Sequence, residues 1–477
     1  MPEGTVMRRA LIYLFLLLGW GLAGWLGYQA WWDEAERPSK EELLASWDER
    51  SPAERALDSL QAAWQNHPGA QGAILSFAAS RGKDEPVLLG WRTQDALAPA
   101  STLKVLTAAV ALDVLTPKFV FTTQVLGEGL QQDQRWVGNL NLIGSGDPFL
   151  DQQGLQVLAT ALAQLGVRVV EGDLIIEHQW LADTAPVSDH WNWGDVGNGY
   201  GAGVWSLNLF RNRYVATFQA GSEVGAPAEI LQIWPTPPEV LIQNEVLTGP
   251  VGSGDGVMIY GGPKVREIVL RGTVPLSDNR PFHVTGALPD PPLTAGHMFR
   301  DLLLESGVTI TGNLRVGQDL SGTPLAQYDS EPLPGLLQQM QATSDNVAAQ
   351  ALFLRLGGEK ALRQWCLEKG IMLGGARIED GSGLARANRL SAADLAAILR
   401  AAIQSQHGAH FLESLPRGRE GTLRYKVGFM SGVRSLAGLL EKANGEEVIF
   451  AINTMGLSQD FPFQNFVDSL LNWMEDW

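Results

Sequence analysis

The 477-residue chain holds a single cysteine, Cys366, so no intrachain disulfide can staple it. Its 7 histidines are scattered and no CxxC or HExxH spacing occurs, which removes the common zinc frameworks. Basic residues are outnumbered 35 to 52 by acidic ones, for a net charge of −17, and no long Lys/Arg run is present to neutralise a phosphate backbone. Nucleic acid is therefore not an expected partner. No internal repeat at a fixed period is visible, which argues against a solenoid or propeller. What remains is a turn-rich globular composition, 45% hydrophobic and 18% charged with 53 Gly and 25 Pro. The length exceeds the ~100–200 residues of an ordinary domain and predicts two or three domains, or one with a large insertion.

Charge is also missing locally. After Arg8 and Arg9, residues Ala10 to Trp32 carry none; at ~1.5 Å per residue such a run spans a ~30 Å hydrocarbon core as a transmembrane helix. The arginines precede it, so the positive-inside rule puts the start in the cytoplasm and the rest outside, with Trp31 and Trp32 at the outer interface. The run exceeds the ~7–15 residues of a leader core, which favours an uncleaved anchor; a cleaved signal peptide, with Gly21 and Ala23 flanking the cut, is the other reading. Either way the working part is extracytoplasmic. Asp33 to about Ser51 reads as a charged spacer.

Beyond the spacer, a helical stretch from Ser51 precedes two apolar runs, GAILSFAA at Gly72 and PVLLGW at Pro86, that read as an antiparallel hairpin. Residues 101–115, STLKVLTAAVALDVL, lack Gly and Pro and predict a buried helix starting near Ser101. From about 119 to 325 short apolar runs alternate with Gly, Pro, Asn and Asp, predicting mainly β structure with one helix near Ala295 to Gly307. Helical periodicity returns from Pro332 and from Ser391, followed by strand candidates RSLAGLLE and EEVIFAINTMG and a last amphipathic helix, FPFQNFVDSLLNWMEDW.

One constellation carries chemistry. In S-x-x-K at Ser101 and Lys104 the spacing sets hydroxyl and amine one helical turn apart, so the lysine is placed to take the serine proton. Ser80 and Lys83 share the spacing but sit in a polar turn, whereas Ser101 opens a helix whose N–H groups and dipole can hold an oxyanion. S-x-N occurs three times, at Ser206, Ser277 and Ser344; Ser277 lies in a turn, while Ser344-Asp345-Asn346 lies in a helical region where such residues are disfavoured without a task.

With PASTLKVLTAA, GNLNLIGSGDPFL, YGAGVWSLN, GALPDPP, SDNVAAQAL, DGSGLARANRLS and GTL in this order, the chain resembles the serine D-alanyl-D-alanine carboxypeptidases/endopeptidases, the low-molecular-mass class C penicillin-binding proteins. The resemblance covers nearly everything after the spacer. It implies an α/β (α+β) fold, a penicillin-recognising transpeptidase/β-lactamase-like domain carrying a large β-rich two-domain insertion. The expected division is 1–33 cytoplasmic start and anchor or signal segment, 34–118 transpeptidase-like domain, 119–325 insertion, and 326–477 transpeptidase-like domain resumed. By resemblance Ser101 is the acyl-forming nucleophile and Lys104 its base, Ser344 relays a proton to the leaving amine, and Asn346 contacts substrate backbone. A lysine base needs a lowered pKa, which burial and a second cation both promote; the family's third motif, K-T-G, supplies that cation, here Lys426.

The third motif departs from the family. The chain reads KVGFMSGV where the family typically reads KTGTLSGV: Lys426 and Gly428 remain, but Val427 and Phe429 replace both hydroxyls. On a strand these two share one face, by resemblance the face that receives the substrate's carboxylate, and the loss predicts a ~10²-fold or larger weakening of its recognition. The oxyanion hole, built from the backbone N–H groups of Ser101 and Phe429, survives any side-chain change. Arg434 is either a replacement cation or a solvated arginine. The interval between Gly421 and Lys426 is short, so the strand's neighbour is expected to be altered or missing.

Of the remaining candidates, Asp380 to Arg389 reads equally as a rim loop supporting Asn346 and the nucleophile's helix or as a Gly-rich turn; Cys366 reads as a buried small hydrophobe, and no tryptophan is assigned a binding role. The reading is of a serine peptidase on peptidoglycan stem peptides, periplasmic and tethered to the inner membrane, open to acylation by β-lactams and needing neither metal nor organic cofactor. A catalytically silent relative that binds or scaffolds cell-wall peptide is the principal alternative, and a β-lactamase a third.

Overall fold

The computed structural model describes residues 51–81, 88–179, 181, 185–277 and 280–477. The charge-free run Ala10 to Trp32 lies outside them, as does the polar turn with Lys83; among the described residues no helix is long and apolar enough to cross a membrane. Ser51 opens the helix Pro52–Asn66 with a capping box: its N–H donates to Glu54 Oε2 at 2.8 Å and its Oγ accepts from Glu54 N–H at 3.2 Å.

From Ala63 onward the fold is organised by a six-stranded antiparallel sheet. Its strands are β1 (Ile74–Arg81), β2 (Leu88–Trp91), β3 (Arg417–Gly418), β4 (Leu423–Met430), β5 (Val433–Glu441) and β6 (Glu447–Met455), in the spatial order β3-β4-β5-β6-β1-β2. The expected hairpin of β1 and β2 is present, paired from Phe77 with Trp91 to Ser80 with Leu88. Both faces of the sheet are covered, and β6 is buried from Val448 to Thr454.

Five helices matter for the site: α1 (Lys104–Leu115), α2 (Leu333–Thr343), α3 (Asn346–Leu356), α4 (Ala392–Gln404) and α5 (Phe463–Asp476). Strand alternation separates those on the two sheet faces. Ser80 of β1 meets Arg400 of α4, while Phe77, odd-numbered, turns the other way to Trp473 of α5, with ring centroids 6.0 Å apart. The first helix is apolar all round, and Lys104 to Leu112 are buried without interruption, as expected of a helix enclosed by others.

Residues 122–329 supply a seven-stranded sheet and two three-stranded ones, with separate apolar cores around Leu142, Leu155 and Phe299 and around Tyr214, Phe218 and Leu270. The expected helix here is Pro291–Glu305, capped by Asp290. A second one, Gln152–Gln164, corrects the expectation of a single helix: Leu155, Leu158, Ala159 and Leu162 form a buried helical stripe, disguised by Gly154 in its first turn. The helical stretch from Pro332 also differs, because it breaks in two at Ser344, which adopts a left-handed conformation with φ 53°.

Candidate active site

Ser101 does not stand in the α-helix itself but in a 3₁₀ turn, Ala100–Leu103, that runs into α1. That turn is pinned from three sides. The Pro99 carbonyl accepts from Thr102 Oγ1 at 2.6 Å and from Ser435 Oγ of β5 at 2.5 Å. Ala100 holds a left-handed φ of 46°, a conformation worth ~1–3 kcal/mol of strain that surrounding structure must impose. Gly383 lies so close that a Cβ there would stand 1.8 Å from the Ala100 carbonyl oxygen. Ser101 is thus held on a constrained backbone and is half-buried.

Lys104 is fully buried, and its Nζ has three neighbours: Ser101 Oγ at 2.9 Å, Asn346 Oδ1 at 2.6 Å and the Ser382 carbonyl oxygen at 2.7 Å. Asn346 donates its Nδ2 to the Tyr200 carbonyl at 2.8 Å, which fixes the amide so that Oδ1 faces the lysine. A neutral amine has two N–H groups and one lone pair. The two partners that can only accept take both N–H groups, leaving the lone pair for the Ser101 hydroxyl to donate into. Burial first, and the Lys426 ammonium second, hold the Lys104 pKa well below the ordinary lysine range.

Lys426, on β4, is equally buried; its Nζ donates to Ser344 Oγ at 2.9 Å and to the Val427 carbonyl at 3.0 Å, and burial lowers its pKa to about 8. The break between α2 and α3 is what makes this possible. Left-handed Ser344 ends one helix, and Asp345 caps the next by accepting from the Ala348 N–H at 2.9 Å. Ser344 and Asn346 then face different lysines across one turn, Lys426 and Lys104. Arg213, from the β-rich residues 122–329, braces that turn with Nη2 2.9 Å from Asp345 Oδ2.

The strand β4 carries Lys426 and Gly428 on one face and Val427 and Phe429 on the other, with Val427 and Phe429 exposed. Gly428 packs on the Ala100–Leu103 turn: a Cβ there would lie 2.9 Å from Ser101 N. The expected loss of the strand's neighbour is nearly complete, since β3 pairs only through Arg417 with Arg424 and Gly418 with Leu423. Tyr425 N–H donates outward to the Pro416 carbonyl, so alternation turns the N–H and C=O groups of Val427 and Phe429 to the same open side. Arg434 is half-exposed and lines the groove on the Val427 and Phe429 face. Its guanidinium stacks 3.8 Å from the Phe429 ring centroid, and its Nη1 donates to the Met430 and Val433 carbonyls.

The loop from Asp380 supports the site. The Asp380 carboxylate is buried and accepts from Ser382, Gly383 and Ala385 N–H groups, from Asn388 Nδ2 and from Trp191 Nε1 at 2.7 Å. This holds the Ser382 carbonyl on Lys104 and Gly383 on Ala100. Replacing Asp380 with Asn turns an amide donor toward donors already present, and is expected to cost about 3 kcal/mol or more, measured by chemical denaturation, and to slow acylation of Ser101.

Sequence reasoning missed the carbonyls of Ser382 and Tyr200, because backbone groups carry no residue signature, and the Arg213 brace, which arrives from a distant stretch. The other S-x-N matches are elsewhere. Asn208 is a buried structural amide, accepting from Trp205 N–H and Asn212 Nδ2; Ser277 donates to the Arg280 carbonyl in its turn, and Asp278 and Asn279 lie outside the described residues. Cys366 is buried, its thiol pushed up to about 12 by desolvation. Among the described residues no group of three His, Cys, Asp or Glu side chains is arranged to hold a metal.

Comparison with known proteins agrees with this geometry. The profile of the D-Ala-D-Ala carboxypeptidase 3 (S13) family matches residues 56–475. The chain is 28% identical to a D-alanyl-D-alanine carboxypeptidase of Actinomadura sp. over 400 residues, covering 75% of this chain and 73% of that one. It is 26% identical to the D-alanyl-D-alanine carboxypeptidase DacB of Haemophilus influenzae over 423 residues, covering 80% and 85%. The crystal structure of penicillin-binding protein 4 from Haemophilus influenzae superposes with a TM-score of 0.75 at 23% identity, covering 88% of this chain and 98% of that one, which establishes a shared fold.

Proposed function

The chain belongs to the D-Ala-D-Ala carboxypeptidase 3 (S13) family, and from that membership and the assembled site we propose a serine-type D-Ala-D-Ala carboxypeptidase/endopeptidase acting on peptidoglycan stem peptides. The observation that carries the reading is Lys104, buried, its two N–H groups taken by Asn346 and Ser382, its remaining valence facing Ser101.

Ser101 Oγ attacks the penultimate D-Ala carbonyl carbon as Lys104 Nζ takes its proton. The oxyanion is held by the Ser101 and Phe429 N–H groups. As the C–N bond breaks, Ser344 Oγ, polarised by the Lys426 ammonium, passes its proton to the leaving amine and regains one from Lys104, so that the proton taken from Ser101 ends on the amine and Lys104 is again a neutral base. Water then hydrolyses the acyl-serine. The assembled groups favour turnover over the silent alternative. The same serine is the site of β-lactam acylation. The uncharged run Ala10 to Trp32 after two arginines supports a periplasmic location with tethering to the inner membrane.

The test is release of D-alanine from a stem pentapeptide across about pH 5 to 10. Activity is expected to fall on the acid side as Lys104 gains a proton, at a pH well below the ordinary lysine value, and on the alkaline side as Lys426 loses one near pH 8. Lys426→Ala removes a charge that depresses the Lys104 pKa and is expected to move the acid limb upward. No D-alanine at any pH, with no acyl group on Ser101 by mass spectrometry, refutes the assignment.

A further inference from the structure

The open edge of β4 fixes which end of a substrate meets which side chain. Gly428 abuts the Ser101 amide, so the neighbouring Phe429 N–H and the Ser101 N–H bracket the place for the scissile carbonyl. Ser344 Oγ, the donor to the departing nitrogen, is held by Lys426, whose Nζ also touches the Val427 carbonyl. The departing amine therefore leaves toward Lys426 and passes Val427.

At that place the strand offers no side-chain donor. Val427 is 49% exposed and Phe429 67% exposed, both aliphatic or aromatic carbon. Their face borders a groove of about 440 Å³ completed by Phe463, Val467 and Leu471 of α5 and by Arg419 and Arg434, with Arg419 Nη2 committed to the Asp468 carbonyl and Asn472 Oδ1. The neighbouring cation, Arg434, lies on the Phe429 ring with Nη1 bonded to Met430 and Val433 carbonyls, curled toward the β4–β5 turn and away from Val427. Lys426 is buried behind the strand and committed to Ser344 and the Val427 carbonyl. A carboxylate beside the departing nitrogen would lose water here and gain at most the single Val427 N–H of the open edge, whereas an uncharged group loses little and gains apolar contact.

We propose that the leaving-group side of this site selects an amine with no free carboxylate next to the scissile nitrogen, such as an amino-acid amide or a plain alkylamine, its carbon chain resting on Val427 and Phe429. Within a stem-peptide peptidase this favours amidated or carboxylate-free crosslinks over a free D-Ala terminus, and it rests on the acyl-serine reading above.

The experiment compares kcat/KM for two matched peptides, one ending in D-Ala-D-Ala and one in D-Ala-D-alaninamide, on the intact protein. The wild type is expected to prefer the carboxamide by about tenfold, and the Val427→Thr/Phe429→Thr double variant to reverse the preference. Arg434→Ala is expected to leave the wild-type ratio within about threefold. Equal rates on the two peptides, or a preference for the carboxylate, in the wild type overturn the proposal whatever the double variant does. A selective loss of the carboxylate peptide in Arg434→Ala also overturns it, since Arg434 is then a carboxylate anchor. A thioester of the same acyl group separates the two levels: if it acylates Ser101 while the peptide ratio fails, only the leaving-group inference falls, and if it does not, the acyl-serine reading falls and takes the inference with it.

Discussion

Replacing Ser101 with alanine is expected to abolish labelling by a fluorescent penicillin and to cut D-alanine release by about 10⁴-fold or more. The size follows from the loss of the covalent route, because the other groups cannot form an acyl intermediate. Folding should be little affected. The hydroxyl is half-buried, and Lys104 keeps its bonds to Asn346 and Ser382 when the serine is gone. A thermal melt that matches the wild type beside absent labelling separates chemistry from stability. Labelling that persists in the variant removes Ser101 as nucleophile.

Gly428→Ala should have the next largest effect, without touching any reacting side chain. A Cβ at this position would stand 2.1 Å from Ser435 Oγ, 2.8 Å from the Pro99 carbonyl oxygen and 2.9 Å from Ser101 N. Ser435 cannot swing away cheaply, since its hydroxyl is bonded to that same Pro99 carbonyl. The strand must retreat instead, carrying the Phe429 N–H away from Ser101 N. Removal of one oxyanion donor costs about 10²–10³ in turnover, and overpacking about 1–3 kcal/mol in stability. Gly374→Ala, where a Cβ meets nothing within 4 Å, is the control and should leave penicillin acylation unchanged. Acylation of Gly428→Ala at the wild-type rate would show that β4 does not supply the second donor.

Much of this was legible in residue order. The unbroken apolar run after Ser101 reported a helix enclosed on all sides, and the runs ending in β5 and β6 reported strands covered on both faces. The period of two along β4 correctly paired Val427 with Phe429. Where that face looks was not legible, because the answer depends on α5 and on the neighbouring β5. Arg434 shows the same limit: its stacking on the Phe429 ring depends on a side chain one strand away and has no signature in residue order. Ser344 read as part of a helical region because helical periodicity runs on both sides of it; its left-handed backbone, which sets the hydroxyl on Lys426, is not visible in that periodicity. The short interval before Lys426 was more informative, since so few residues leave room for only a two-residue neighbour strand.

Lys104 finds Asn346 across 242 residues and the Ser382 carbonyl across 278. Closing a loop of that length costs about 5 kcal/mol of chain entropy, recovered only when the distant packing is complete. During synthesis the nucleophile and its lysine emerge early, yet the lysine's partners and the second ammonium arrive only near the end. A polypeptide that ends before Lys426 lacks the second ammonium that, after burial, does most to hold the Lys104 pKa down. Competence is therefore conferred late in biogenesis and all at once, so that a half-made chain is harmless to amide bonds around it.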